Sequence, residues 1–166
     1  FVRPEQLDEL RERAQSDLKP IYDELVASCE DILADVPPTD EPPLYPEGTV
    51  RLSEEWREIW WGNRMYTIKV LNSAVTLAFT RLLGGQEHYG EKAKELLMAC
   101  AKWDPLGATG YRYNDEAGMP YNYYFCRTYS FVNDLLSEEE REICRGVMRV
   151  QGQEMYDHLA IEMQYL

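Results

Sequence analysis

The chain has 166 residues, 45% of them apolar, which suffices for one domain with a core of its own and is too apolar for a disordered tail. Its 30 acidic and 17 basic side chains give a net charge of −13, a surface that repels nucleic-acid phosphates and argues against DNA or RNA binding. No apolar run approaches the ~18 residues that a membrane span requires.

Taken in chain order, Pro4-Glu5-Gln6-Leu7 opens a helix, because proline suits a first turn and an acidic residue follows it. Leu7, Leu10 and Ala14 mark its apolar face. A second helix is predicted from about Pro20 to Ala34, with Ile21, Leu25, Ile32 and Leu33 on its inner side. Residues 36–48 form a proline-rich linker. Pro37, Pro38, Pro42 and Pro43 forbid a helix there and stiffen an extended chain, and Tyr45-Pro46-Glu47-Gly48 continues it. Ser53 caps the next element, one long helix or two joined ones reaching Leu83. Ile68, Leu71, Val75, Phe79 and Leu82 recur along it at helical spacing, and Gly84-Gly85 ends it. Gln86 to Ala101 is predicted helical, with Tyr89, Ala93, Leu96, Leu97 and Cys100 inward. Gly107 to Gly118 reads as loop and Met119 to Leu136 as helix. Ser137 with Glu140 forms a capping box for a last helix running to about the chain end.

No segment alternates as a strand does, so the predicted fold class is all-α over residues 1–166. Periodicity leaves a bundle, a solenoid and an α/α toroid open, and the lack of a short repeat weighs against the solenoid. Cys29, Cys100, Cys126 and Cys144 lie in helical segments at spacings that match no zinc pattern, so they are read as small apolar core residues. The start at Phe1-Val2-Arg3-Pro4 and the abrupt end at Met163-Gln164-Tyr165-Leu166 are read as the edges of a piece of a longer protein.

Three stretches together resemble a known family. They are Ala78-Phe79-Thr80-Arg81-Leu82-Leu83-Gly84-Gly85-Gln86-Glu87-His88-Tyr89, then Trp103-Asp104-Pro105-Leu106-Gly107-Ala108-Thr109 with Asn114-Asp115-Glu116-Ala117, then Arg127-Thr128-Tyr129-Ser130-Phe131 with Leu136-Ser137-Glu138-Glu139-Glu140-Arg141. Their order and spacing are similar to the N-terminal α/α-toroid domain of heparinase II/III-like polysaccharide lyases, a group that includes heparinase II, oligoalginate lyases and dermatan sulfate epimerases. Arg3-Pro4-Glu5-Gln6-Leu7 also fits that family's first helix. Gly84-Gly85-Gln86 departs from the family's usual Thr-Gly-Asp, and Asn133-Asp134 from its Tyr-Asp, which blurs the subfamily and hence the sugar.

The resemblance implies part of an (α/α) toroid and cleavage of uronic-acid-containing glycans by β-elimination. It implies an acidic polysaccharide as substrate, the C-terminal remainder of the same protein as partner, no cofactor or metal in this chain, and a periplasmic or secreted location. In the family a histidine preceded by Asn or Ser begins the catalytic set. This chain has no Asn-His or Ser-His pair, so the catalytic groups are expected beyond Leu166.

Within the chain, the loop Tyr111 to Glu116 gathers aromatic, basic, amide and acidic groups just before a helix, where toroid loops build a cleft. Arg112, Tyr113 and Asn114 are candidate substrate contacts, with Tyr121 and Tyr124 following them. Asp115 and Glu116 are read as a loop and helix cap. Trp60 with Asn63 and Arg64 is a second candidate, as the floor of a sugar subsite or as central packing beside Trp61. His158 is read as a helix-packing or surface residue, and His88, at the helix start after Gly84-Gly85, as a cap or surface residue. Two other functions fit the same fold: a glycoside hydrolase, which needs a carboxyl pair across the cleft, and a non-catalytic helical scaffold with an exposed apolar face.

Overall fold

Helices make up all the regular structure among residues 3–162, the part of the chain that this computed structural model describes. Residues 1–2 and 163–166 lie outside the described residues, and with them the predicted last residues of the final helix. Pro4–Gln6 forms a 3-10 turn that leads into α1, Leu7–Ala14. Helix α2 spans Lys19–Ala34 with Pro20 in its first turn, where the missing N–H breaks no bond. Ile21, predicted to face inward, is exposed, because α2 buries only Cys29 fully and lies at the edge of the fold.

Helix α3 is one continuous element, Glu54–Leu82, started by the Ser53 side chain, which accepts a bond from the Trp56 amide at 3.2 Å. Its most buried stripe is Asn63, Thr67, Val70, Leu71, Ala74, Leu77 and Ala78. Of the predicted apolar face only Leu71 lies on it; Ile68, Val75, Phe79 and Leu82 are half-buried beside it. Ala74 and Ala78 let neighbouring helices approach closely, so the small residues take the centre and the larger ones flank it. Gly84, at φ +107°, turns the chain out of α3, and Gly85 sits where a Cβ would meet the Thr80 carbonyl oxygen at 2.7 Å.

Helix α4, Glu87–Cys100, buries Tyr89, Ala93, Leu96, Leu97 and Cys100 as predicted. Helix α5 spans Asp115–Phe131, and a 3-10 turn, Asn133–Leu135, precedes α6, Glu138–Glu162. The capping box forms: Glu140 N donates to Ser137 Oγ at 3.2 Å and Ser137 N to Glu140 Oε2 at 2.7 Å.

Contacts fix the helix directions. Trp60 meets Asp115 and Phe79 meets Phe131, so α3 and α5 run parallel and share the largest interface. Helix α4 runs antiparallel to both and packs mainly on α3, with Arg81 bound to Glu87 near its start and Tyr121 Oη donating to the Cys100 carbonyl at its end. Helix α6 opposes α5, since Asn122 pairs with Gln151 and Arg141 with the Asn133 carbonyl. Parallel α3 and α5 joined through an antiparallel α4 make a two-layer α/α arrangement. All four thiols are free, with Cys29, Cys100 and Cys144 buried and Cys126 half-buried.

The proline-rich segment is extended and has neither helix nor strand. Its carbonyls are taken by side chains of the helical body. Tyr66 Oη donates to Pro38 O and Asp40 O at 3.0 and 2.8 Å, Trp103 Nε1 to Thr39 O at 3.0 Å, and Asn63 Nδ2 to Pro43 O at 2.8 Å. Residues that prolines bar from a ladder thus have their polar backbone satisfied without one.

Candidate ligand-binding cleft

The proline-rich segment of residues 36–48, a strap across the helical body, delivers Tyr45 to the start of α3, and the α4–α5 loop delivers Tyr113 to the same place. The Tyr45 amide donates to Tyr113 Oη at 2.7 Å, and their rings stack at 5.0 Å between centroids. Helical spacing puts Trp56 and Trp60 on one side of α3, stacked at 5.2 Å. Tyr45 stacks on Trp56 at 5.7 Å, and Trp61 follows Trp60 at 5.9 Å in a tilted pair. Tyr113, Tyr45, Trp56, Trp60 and Trp61 therefore form one aromatic row.

This row lines a cleft of about 1080 Å³ whose other walls include Thr49, Arg51, Leu52, Arg57, Tyr111, Arg112, Asp115 and His158. Trp60 is half-buried and Trp61 exposed, so the tryptophan pair belongs to this surface and not to central packing. Arg51, Arg57 and Arg112 make no ion pair among the described residues. By contrast, Arg11, Arg13, Arg64, Arg81, Arg141, Arg145 and Arg149 are each matched with a carboxylate. A chain of charge −13 thus keeps three uncompensated guanidinium groups on one concave surface. Such groups focus a positive potential on an anion that a distant charge sees as repelled.

Asp115, at the first position of α5, is the single carboxylate on the cleft wall among the described residues, and it accepts from Trp60 Nε1 at 3.2 Å. Burial pushes the Tyr45 hydroxyl up to about 12, with Tyr113 and Asp115 adding to the rise, so it stays a neutral O–H at physiological pH. His158, read from sequence as packing or surface, sits edge-on to Tyr111 at 5.4 Å on the cleft wall.

Among the sequence candidates, Arg112, Tyr113 and Trp60 come together here, with Asp115. Asn114, Asn63, Tyr121 and Tyr124 do not line the cleft. Asn114 is 1% exposed and caps α5: its Oδ1 accepts from Ala117 N at 3.1 Å and its Nδ2 donates to Trp60 O at 3.2 Å. Asn63 is buried under the strap it holds. Tyr121 is a core residue bound to the Cys100 carbonyl, and Tyr124 packs half-buried against the core.

Arg64 stands behind the row. It lies over the Trp61 ring at 5.3 Å and bonds Glu116 twice, at 2.5 Å to Oε2 and 3.3 Å to the carbonyl. That carbonyl has lost its helical donor, because residue 120 is proline. Helix α5 begins at Asp115, four residues before the predicted Met119. Gly118 makes this possible, since any Cβ there would meet the Tyr111 backbone at 2.8 Å.

Sequence reasoning did not single out Tyr45, Thr49, Arg51, Trp56 or Arg57. The four-residue step from Trp56 to Trp60 is the one signal that marked Trp56; the strap residues carry none.

No protein-family profile matches the chain, and no curated protein sequence matches it. Among the described residues no His, Cys, Asp and Glu side chains gather into a group that would hold a metal, and no helix is long and apolar enough to cross a membrane.

Proposed function

We propose that the chain is the N-terminal helical part of a polysaccharide lyase acting on uronic-acid-containing glycans, and that the cleft binds the acidic glycan. The observation that carries the reading is the aromatic row beside three unpaired arginines in an otherwise acidic chain. Ring faces stack on sugar rings, and guanidinium groups bind carboxylate or sulfate in bidentate fashion. The parallel, directly packed α3 and α5, linked by the antiparallel α4, support the toroid, where inner helices run parallel and outer ones return. The family resemblance supplies the reaction class.

In β-elimination the C5 proton becomes removable once the neighbouring carboxylate is neutralised. A base takes that proton, the C4–O bond breaks, and an acid protonates the departing oxygen. Arg51, Arg57 and Arg112 suit the binding and neutralising role. The proton-transfer groups belong, on this reading, to sequence downstream of Leu166. A hydrolase would want two carboxyls facing each other, of which this chain brings Asp115 to the cleft among the described residues; the product separates the two readings, since the lyase alone yields an unsaturated uronate.

The test is calorimetric titration with uronate oligosaccharides of heparan, dermatan and alginate type, against neutral oligosaccharides. The acidic series is expected to bind and the neutral series to bind more weakly, with Arg112→Ala raising Kd about tenfold, the effect of losing one charged hydrogen bond. In the complete enzyme the same change is expected to raise KM more than it lowers kcat. Equal binding of the two series would overturn the acidic-glycan reading, and turnover by this chain alone to an unsaturated, ultraviolet-absorbing product would overturn the placement of the proton-transfer groups.

A further inference from the structure

The strap changes character at Tyr45. Up to that residue its backbone is held by Tyr66, Trp103, Asn63 and Tyr113. From residue 46 to 52 the hydrogen bonds of the described residues are the turn's own, Thr49 N to Pro46 O at 3.1 Å and Ser53 N to Val50 O at 3.0 Å. Val50 and Leu52 are 70% and 60% exposed, so no packing replaces the missing bonds. Leu52 stands at φ +70°, a left-handed conformation that a leucine adopts only under strain. The turn is thus a loosely held segment between two fixed points, pinned Tyr45 and capped α3.

Two polar atoms at this segment are unaccounted for. Tyr45 Oη and Thr49 Oγ1 are shut off from solvent and have no hydrogen-bond partner among the described residues. Buried hydroxyls are nearly always paired, and an unpaired one destabilises the fold that contains it. Three other unpaired atoms, on Thr109, Gln151 and Glu154, belong to residues outside the cleft lining. Tyr45 and Thr49 both belong to it, and Arg51 lies on the same turn.

We propose that Tyr45 and Thr49 are ligand-recognition residues, and that the turn 46–52 shifts when a ligand enters the cleft so that both hydroxyls pair with hydroxyl groups of a glycan. This rests on the reading that the cleft takes an acidic glycan. Each hydroxyl can donate and accept at once, which matches a sugar hydroxyl. The same movement carries Arg51 against the carboxylate or sulfate of the same residue, so the turn reads both the polyol and the anionic group. Strain at Leu52 lowers the barrier to leaving the resting form, since the conformation left is already unfavourable.

The sign of a stability effect separates this from a structural role. A hydroxyl that serves the fold destabilises the protein when removed. One that waits for a ligand leaves the free protein as stable as before, or more so. The experiment compares Tyr45→Phe and Thr49→Val with the unaltered protein by thermal melting, by calorimetric titration with acidic and neutral oligosaccharides, and by hydrogen exchange over residues 47–52. Both variants are expected to melt no lower than the unaltered protein, to bind the oligosaccharide about five- to tenfold more weakly, and to show less ligand-induced protection of the turn.

If acidic oligosaccharides bind and both variants bind them equally well, the proposal falls and the acidic-glycan reading stands. A lower melting point for both variants also overturns it, in favour of a structural role. If only neutral oligosaccharides bind, and the variants weaken that binding, the acidic reading falls and hydroxyl recognition stands. Binding to neither series overturns both.

Discussion

Both ends of the Asn114 amide are committed to the fold, one to the first turn of α5 and one to the Trp60 carbonyl of α3. Asn114→Ala is therefore expected to lower stability by about 1–2 kcal/mol, the loss of a helix cap, and to alter ligand binding only through the fold. A melting curve superimposable on that of the unaltered protein would contradict this. Arg64 and Pro120 make a coupled pair at a distance in sequence. Arg64 supplies the donor that Pro120 denies to the Glu116 carbonyl, so Arg64→Ala leaves that oxygen unpaired. Pro120→Ala restores a helical N–H to the same oxygen. The double variant is expected to recover about 1 kcal/mol of the Arg64→Ala loss in a thermodynamic cycle, and strict additivity would argue against the coupling. Sequence reasoning grouped Arg112 with Asn114 because they are neighbours. Which of them faces a ligand depends on a hydrogen bond to α3, fifty-four positions away, that no local pattern encodes.

At the scale of elements, most helices were legible because their signals are short-range. Ser53, Gly84 and the Ser137–Glu140 box act within four residues, and the structure has them where the sequence puts them. The start of α5 was not, because Gly107 to Gly118 reads as loop and the helix is predicted only from Met119, whereas it begins at Asp115 with Pro120 inside it. Gly118 in fact serves close packing on Tyr111, and the proline's missing bond is made good from α3. The capping box also carries a pH dependence. The Lys94 ammonium and the Ser137 amide hold the Glu140 carboxylate below its ordinary value of 4.5. A depressed folded value contributes stability that is present above the unfolded value and lost as pH falls through the folded one. Glu140→Gln is expected to lower stability at neutral pH, and the gap between the variant and the unaltered protein is expected to narrow as the pH falls below the ordinary carboxyl value of 4.5. Parallel stability–pH curves would show that Glu140 is not the group concerned.

For the whole molecule, all-α class followed from the sequence, whereas the cleft did not. Its lining comes from the strap, the first turns of α3, the α4–α5 loop and the last turns of α6, segments that only the packed core brings together. The local clusters at Trp60 and at residues 111–116 exposed two of these four parts; Tyr45, Thr49 and Arg51 sit in a stretch whose composition announces only a linker. The core that assembles the cleft also shelters the thiols. Burial pushes Cys100 up to about 12 and Cys144 up to about 11, far from the thiolate form that alkylating reagents need. Both are expected to resist iodoacetamide in the native protein at pH 8 and to react together on unfolding, so their labelling rate reports global opening. Fast labelling of Cys100 under native conditions would mean that the core opens locally around α4.

The stacked indoles of Trp56 and Trp60 have a consequence in optics. Rings 5.2 Å apart and 20° from parallel couple their electronic transitions, so light absorbed by one is shared with the other. The cleft is expected to contribute an exciton couplet to the circular dichroism spectrum, while Trp103, in the core with its Nε1 bonded to Thr39, stands apart from that stack. A guest that slides along the row changes the spacing or tilt of the coupled pair, and the protein reports the event in its own spectrum without a label.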